Sequence, residues 1–262
     1  MIETSIVMTY YNRTRQLRNS LKSIRRQKKD LQNTEIIIVD DASDEEKRAR
    51  LITKDFKELN IQIVEVKKEE KYWINPCVPY NMGFRRAKGK IIVIQNPECV
   101  HFGRILGYAK ENIGEGKYLS FPCYYVTKEQ FQRFCKWKDQ PDDLFLKKVS
   151  RIIDPLDNRQ WYNHSSLRPT GYHFTSVILK KDLDRIGGGF NEDFATGYCF
   201  DDDEFLFRLD QGGMDRQITP HQMGFVIHQW HPKSSIYVGR CPEWYRNRAL
   251  LEKITGKEYK EI

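Results

Sequence analysis

The chain opens on an apolar run at residues 5–9, Ser5, Ile6, Val7, Met8 and Thr9, which reads as a buried strand. Beyond Tyr10, Tyr11 and Asn12, Leu17, Leu21 and Ile24 recur at helical spacing. A helix is therefore predicted to about Gln27, with Asn12 available to cap it. Residues 35–39 are almost purely β-branched, the mark of a strand buried on both faces. Ser43 or Asp44 is placed to cap a helix running through Leu51 to about Leu59. Residues 61–66 alternate as a third strand, Pro79 opens a helix to about Lys88, and residues 90–94 form a fourth strand.

Strand and helix alternating in this way imply an α/β fold, with a mostly parallel sheet covered by helices on both faces. Ligands in such sheets bind at the carboxyl ends of the strands. Residues 9–12, Asp40 with Asp41, and residues 95–98 each follow a strand and converge on that edge. Neither a Gly-x-Gly-x-x-Gly after the first strand nor a P-loop occurs, so a nucleotide would be held without those phosphate cradles. After Val100 the rhythm loosens: residues 117–121 and 174–179 read as strands. Between them, residues 139–172 form a polar, aromatic-rich insertion, with a helix around residues 142–153 and a long loop.

Candidate chemistry concentrates in the acidic run Asp201, Asp202, Asp203 and Glu204, which opens an apolar helical pattern. Acids in a first helical turn favour the helix dipole, and Glu204 with Arg208 is a favourable i, i+4 pair. That structural role does not require all three aspartates, whereas a general base facing an electrophile requires one of them. In Gln95-Asn96-Pro97-Glu98, only Glu98 offers a charged, hard oxygen to a cation; the two amides are weaker ligands. His228 ends the apolar run 225–227 and belongs to a cluster with His221 and His231, so it is a candidate metal ligand. Trp73, Trp161, Tyr162, Trp230 and Trp244 stand in or near polar loops, where aromatic faces suit sugar rings or bases, although packing is their commoner use.

With 262 residues, 39% of them hydrophobic, the chain can bury a full core. The net charge of +8 suits phosphate-bearing or anionic ligands. The basic residues between 13 and 29, however, fill the polar side of a predicted amphipathic helix and read as a solvated face. No apolar run approaches the about 18 residues a membrane span needs, and the start lacks the pattern of a signal peptide. The expectation is a cytoplasmic protein, or one peripheral to a membrane. Six cysteines without a Cys-x-x-Cys pair point to free thiols in a reducing compartment.

Taken together, these segments resemble the family 2 glycosyltransferases of the GT-A, Rossmann-like fold. SIVMTYYNR looks like the family's first strand and loop, and EIIIVDDASD like its second strand with the nucleotide-binding aspartates. PYNMGFRRAKGKIIVI looks like the helix leading to the metal-motif strand. IGGGFNEDF and FDDDEFLFRL look like the acceptor-side segment that carries the base. The resemblance spans about residues 4–106 and 170–231. It implies a single glycosyltransferase domain over residues 1–262, with a nucleotide-sugar half to residue 106 and an acceptor half from residue 107. It implies that Thr9, Tyr11, Asp40 and Asp41 bind the nucleotide, with Asn81 and Arg86 near the donor. Glu98 and His228 would hold a divalent cation, Mn2+ or Mg2+. Asp202 would be the general base of an inverting transfer, with Asp201 in the place of the family's glutamate. Its partners would be a nucleotide sugar, foremost a UDP-sugar, and a carbohydrate or glycoconjugate acceptor, with no nucleic acid expected. One departure stands out: the family's Asp-x-Asp is replaced by residues 95–98, where only Glu98 is charged. The alternatives weighed are a sugar-phosphate nucleotidyltransferase and a basic module that binds nucleic acid or an anionic surface. The first would need a Gly-rich basic loop after the first strand, and the second leaves the acidic run unexplained.

Overall fold

The alternation of strand and helix closes into a seven-stranded sheet with a smaller four-stranded sheet beside it. The structure, a computed structural model, describes residues 1–136, 151, 159–232 and 241–259. The helix expected around residues 142–153 falls outside these, apart from Arg151.

The first half runs β1 (Thr4–Tyr10), α1 (Thr14–Arg25), β2 (Thr34–Asp40), α2 (Arg50–Thr53), β3 (Ile61–Glu65), α3 (Cys77–Arg86) and β4 (Ile91–Gln95). β1, β2, β3 and β4 are parallel, and every residue of β2 is buried, as its unbroken apolar run requires. Alternate side chains serve opposite faces. Ile6, Met8, Ile36 and Ile38 pack with Leu17, Leu21 and Ile24 of α1, while Val7, Ile37 and Val39 pack with Tyr80 and Phe84 of α3.

The second half follows as β5 (Cys99–Gly103), α4 (Ile105–Asn112), β6 (Lys117–Ser120), β7 (Cys123–Tyr125), α5 (Lys128–Lys136), β8 (Trp161–Tyr162) and β9 (Thr175–Leu179). It continues through α6 (Lys180–Arg185), α7 (Asp201–Gln211), β10 (Asp215–Ile218), β11 (Gly224–His228) and α8 (Pro242–Thr255). The large sheet has the order β10-β6-β9-β4-β1-β2-β3, in which β9 alone runs against its neighbours. The register sets Gln95 of β4 opposite Thr175 of β9, so the chain just before β9 enters at the carboxyl ends of the parallel strands. The small sheet, ordered β5-β11-β7-β8, stands at that same edge, because only three residues separate the end of β4 from the start of β5.

Two helix expectations change. The helix predicted to Leu59 stops after the four residues of α2. Ile52, Phe56 and Leu59 still reach the core, but through successive i to i+3 turns: Asp55 N to Ile52 O, Phe56 N to Thr53 O, and Leu59 N to Phe56 O. Neither α1 nor the single 3-10 turn at Glu45–Lys47 has a side-chain cap. Asn12 lies at φ 54° and clasps the next loop instead: its Nδ2 donates to Asp44 Oδ2 at 3.0 Å and its Oδ1 accepts from Asp44 N at 2.9 Å. Among the described residues, no helix is long and apolar enough to cross a membrane.

Candidate active site

Asp40 and Asp41 lie next to each other in sequence but serve different ends. Asp40 is fully buried, and both its oxygens are taken by its own loop: Oδ1 accepts from Ser43 N at 3.0 Å and Oδ2 from Ala49 N at 2.7 Å. It shapes the loop after β2, with each carboxylate oxygen accepting from a backbone amide of that loop. Asp41 is held at the rim by Lys71 Nζ at 2.7 Å and Trp73 Nε1 at 2.8 Å. Lys71 also lies 4.6 Å from the centroid of the Tyr11 ring, and that ring is half-exposed. Thr9, Tyr11 and Asp41 thus gather at the carboxyl edge, with Lys71 and Trp73 joining them from beyond β3.

Two other expected donor contacts stand elsewhere. Asn81 is buried and staples α3 to the glycine loop: its Oδ1 accepts from Phe190 N at 2.8 Å, and its Nδ2 donates to Phe190 O at 2.8 Å and Glu192 Oε1 at 2.9 Å. Gly189 makes room for this, because a Cβ there would collide with the Asn81 amide. Arg86 is exposed on the last turn of α3, where the chain turns into the amino end of β4. In a parallel sheet that is the edge opposite the one where ligands bind.

Glu98 and His228 do meet. Cys99 faces His228 in the antiparallel β5–β11 ladder. This pairing brings His228 Nε2 to 3.2 Å and His231 Nε2 to 3.8 Å from Glu98 Oε1, while an Arg13 guanidinium nitrogen lies 2.7 Å from the same oxygen. Gln229 locks the arrangement: its backbone N and its Nε2 both donate to Glu98 O, and its Oε1 accepts from Asn19. Burial would push the Glu98 carboxyl up, but Arg13, His228 and His231 outweigh it and hold the acid well below the usual range. Glu98, His228 and His231 together form a group able to hold a metal ion. A hard carboxylate oxygen with two imidazoles is a sound donor set for a divalent transition metal, and Glu98 Oε2 and His228 Nδ1 are buried without a hydrogen-bond partner. His231 belonged to the histidine cluster seen in the sequence; only the fold shows it joining His228 at Glu98. His221 stacks on His164 instead, at 5.0 Å between centroids. Gln95 is buried and bonds to Ser20, Cys99 and His101 within the core.

The acidic run enters α7 through Cys199 and Phe200, both left-handed at φ 60° and 68°. Each acid then has its own partner. Asp201 is buried and accepts from Asn75 Nδ2 at 2.9 Å; burial and the neighbouring Asp202 push its carboxyl up to about 6. Asp203 accepts from the hydroxyls of Tyr172 at 2.9 Å and Tyr259 at 2.8 Å. Glu204 pairs with Arg208 at 2.8 Å, and Arg208 reaches on to Ile186 O and Gly189 O. Asp202 keeps a side-chain exposure of 34% and lies against Nδ1 of the buried His173. His173 stands two residues before β9, with its ring packed between Tyr80 and Phe190. Nothing in the sequence pattern singled it out. Both Glu98 and Asp202 act electrostatically on the Tyr80 hydroxyl, which bonds to Gln95 O and Asn96 Oδ1. The acidic run and the loop that carries Glu98 thus approach Tyr80 at the carboxyl edge, through His173 and Asn96 respectively.

The fold is similar to that of solved glycosyltransferase structures. TarS of S. aureus, residues 1–349 in complex with UDP-GlcNAc, superposes with a TM-score of 0.69 at 14% identity, covering 99% of this chain and 68% of that one. The mannosyltransferase PcManGT from Pyrobaculum calidifontis, in complex with GDP-Man and Mn2+, superposes at 0.58 with 17% identity, covering 99% and 66%. Against a longer TarS structure the TM-score is 0.65 at 13% identity, and this chain spans 41% of that length. No curated protein matches the sequence. The family model "Glycosyl transferase family 2" matches residues 5–177, about two thirds of the chain, and the chain belongs to that family of glycosyltransferases.

Proposed function

We propose that the chain is an inverting glycosyltransferase that moves a sugar from a UDP-sugar to a hydroxyl of a carbohydrate or glycoconjugate acceptor. One juxtaposition supports this reading: Asp202, the part-exposed carboxylate of the acidic run, lies against His173, whose ring packs on Tyr80, and the Tyr80 hydroxyl bonds to Asn96 in the loop that carries Glu98. Membership in a glycosyltransferase family supports this reading over the nucleotidyltransferase and binding-module alternatives. The UDP reading draws support from the likeness to TarS bound to UDP-GlcNAc.

In this reading, residues 1–106 hold the donor and residues 107–262 supply the acceptor side and the base. Thr9, Tyr11 and Asp41 bind the nucleotide. Tyr11 offers its half-exposed ring to the base, and Asp41 is oriented by Lys71 and Trp73. Glu98, His228 and His231 would hold a divalent cation, Mn2+ or Mg2+, whose chemistry is to offset charge on the departing diphosphate. The likeness to PcManGT with Mn2+ supports the cation. Asp202 takes the proton of the acceptor hydroxyl as that oxygen bonds to the anomeric carbon. The bond from that carbon to the diphosphate oxygen breaks, and its electron pair leaves with the diphosphate. Attack opposite the leaving group inverts the configuration without a covalent sugar–enzyme intermediate. His173 fixes the Asp202 oxygen it touches, and Asp201 behind it stays anchored to Asn75.

Replacing Asp202 by Asn tests the assignment. Transfer should be abolished while UDP-sugar affinity, followed by calorimetry, is retained. Turnover surviving in Asp202→Asn removes Asp202 from the role of base.

A further inference from the structure

Arg13 began as part of a solvated basic face, and the structure moves it into the site. It is the residue before α1, three positions past the end of β1, at the carboxyl edge where ligands of such sheets bind. Its guanidinium lies 2.7 Å from Glu98 Oε1, the same oxygen that His228 and His231 face. Its side chain is 36% exposed against 5% for Glu98, so the arginine is the partner free to swing.

One carboxylate oxygen serves poorly as anchor for a guanidinium and a divalent cation together, because two positive charges a few ångströms apart repel. A guanidinium also matches phosphate oxygens in a bidentate fork. We propose that Arg13 is a diphosphate-binding residue that Glu98 holds in the absence of donor, so that Glu98 and the donor's diphosphate compete for a single guanidinium. When Arg13 moves to the diphosphate it uncovers Glu98 Oε1, and donor and cation binding become thermodynamically coupled. This coupling rests on Glu98, His228 and His231 being the cation site; the competition for Arg13 does not.

The two parts are tested separately. UDP is titrated by calorimetry in EDTA, where no cation contributes, into the wild type, Arg13→Gln, Glu98→Gln and the double variant, with melting curves taken alongside. Glu98→Ala substitutes if Glu98→Gln does not fold. Arg13→Gln should weaken UDP binding by about tenfold. Glu98→Gln should strengthen it severalfold by releasing the arginine, and the double variant should match Arg13→Gln. If Arg13→Gln binds UDP as the wild type does, the proposal fails. It fails equally if Glu98→Gln strengthens UDP binding by the same factor with and without Arg13, since loss of a negative charge then accounts for everything. Mn2+ titrated without nucleotide and followed by electron paramagnetic resonance should bind more tightly to Arg13→Gln than to the wild type, and should be lost in His228→Ala. Unchanged Mn2+ binding in His228→Ala and Glu98→Gln overturns the cation site and the coupling, while the EDTA titrations still judge Arg13 by themselves.

Discussion

His228 Nε2 lies 3.2 Å from Glu98 Oε1 although 130 positions separate the two in sequence. The contact follows from strand pairing: β11 runs antiparallel to β5, and Cys99 opposite His228 fixes where the loop before β5 must pass. A site built this way should be intolerant of changes to its side chains. Removing divalent cations with EDTA should stop transfer, and Mn2+ should restore it in the wild type. Glu98→Gln and His228→Ala should each lower turnover by on the order of 10- to 100-fold at fixed Mn2+, the range seen when a metal site loses a supporting group. Initial rates against Mn2+ concentration check this, and full activity of either variant in EDTA would place the chemistry elsewhere.

Asp40 and Asp41 should respond in opposite ways. Asp40→Asn leaves one of two buried backbone amides, Ser43 N or Ala49 N, without its acceptor, at a cost of about 1–3 kcal/mol. Its melting temperature should fall while UDP affinity in the folded fraction holds. Asp41→Ala removes a rim carboxylate paired with Lys71 and Trp73, so the fold should survive and UDP affinity should fall. Denaturation and calorimetry on both variants separate the two effects.

These two residues also show what the sequence could convey. The β-branched run of β2 and the apolar stripe of α1 decide their own burial, so sheet and helix were readable locally. The carboxyl edge followed from the alternation. A carboxylate's partners do not follow, because Asp40 and Asn81 are polar residues at plausible ligand positions whose bonds the backbone takes up. One signal did exist for Asp40: Ser43 three residues on is the spacing of a side-chain-to-backbone turn. Strands β5, β7, β8 and β10 were not legible, since none carries an apolar run like those of β4 and β9 or the alternation of β3. His173 could not be read at all, because its contact with Asp202 exists only once β9 has been laid against β4.

Asp201 gives the molecule a pH signature. Its carboxyl is pushed up to about 6 by burial and by Asp202, above its ordinary value of 3.8. A carboxyl raised on folding favours the native state below its unfolded pKa, and that contribution is lost as pH rises through the folded value. Between pH 4 and 8 the loss amounts to about 2 kcal/mol for a shift of this size. Asp201→Asn keeps an acceptor for Asn75 and carries no charge, so its stability should lack that decline and exceed the wild type's above pH 6. Urea denaturation at several pH values measures it, and parallel curves for the two proteins would contradict the assignment.

His173 allows the sharpest separation of positioning from packing. Its ring fills a buried slot between Tyr80 and Phe190, which phenylalanine can occupy, and its Nδ1 holds Asp202. His173→Phe should therefore stay folded while leaving the base free to rotate. Turnover should fall about 10²-fold with donor KM little changed, because the interaction lost concerns the transition state rather than donor binding. The imidazole itself titrates unusually: burial pulls its pKa down, but Asp202 and Asp201 more than offset this and the net shift is upward. Stability from the imidazolium is then complete below the ordinary histidine value and is lost as pH rises through the raised one. His173→Phe should abolish that alkaline loss and change the pH profile of turnover, which a change of packing alone would not do. In the Asp202→Asn background, where transfer is already lost, the stability cost of adding His173→Phe, read by urea denaturation, should be smaller than in the wild type if the histidine acts through the aspartate. Equal costs in the two backgrounds would show that His173 acts independently of Asp202.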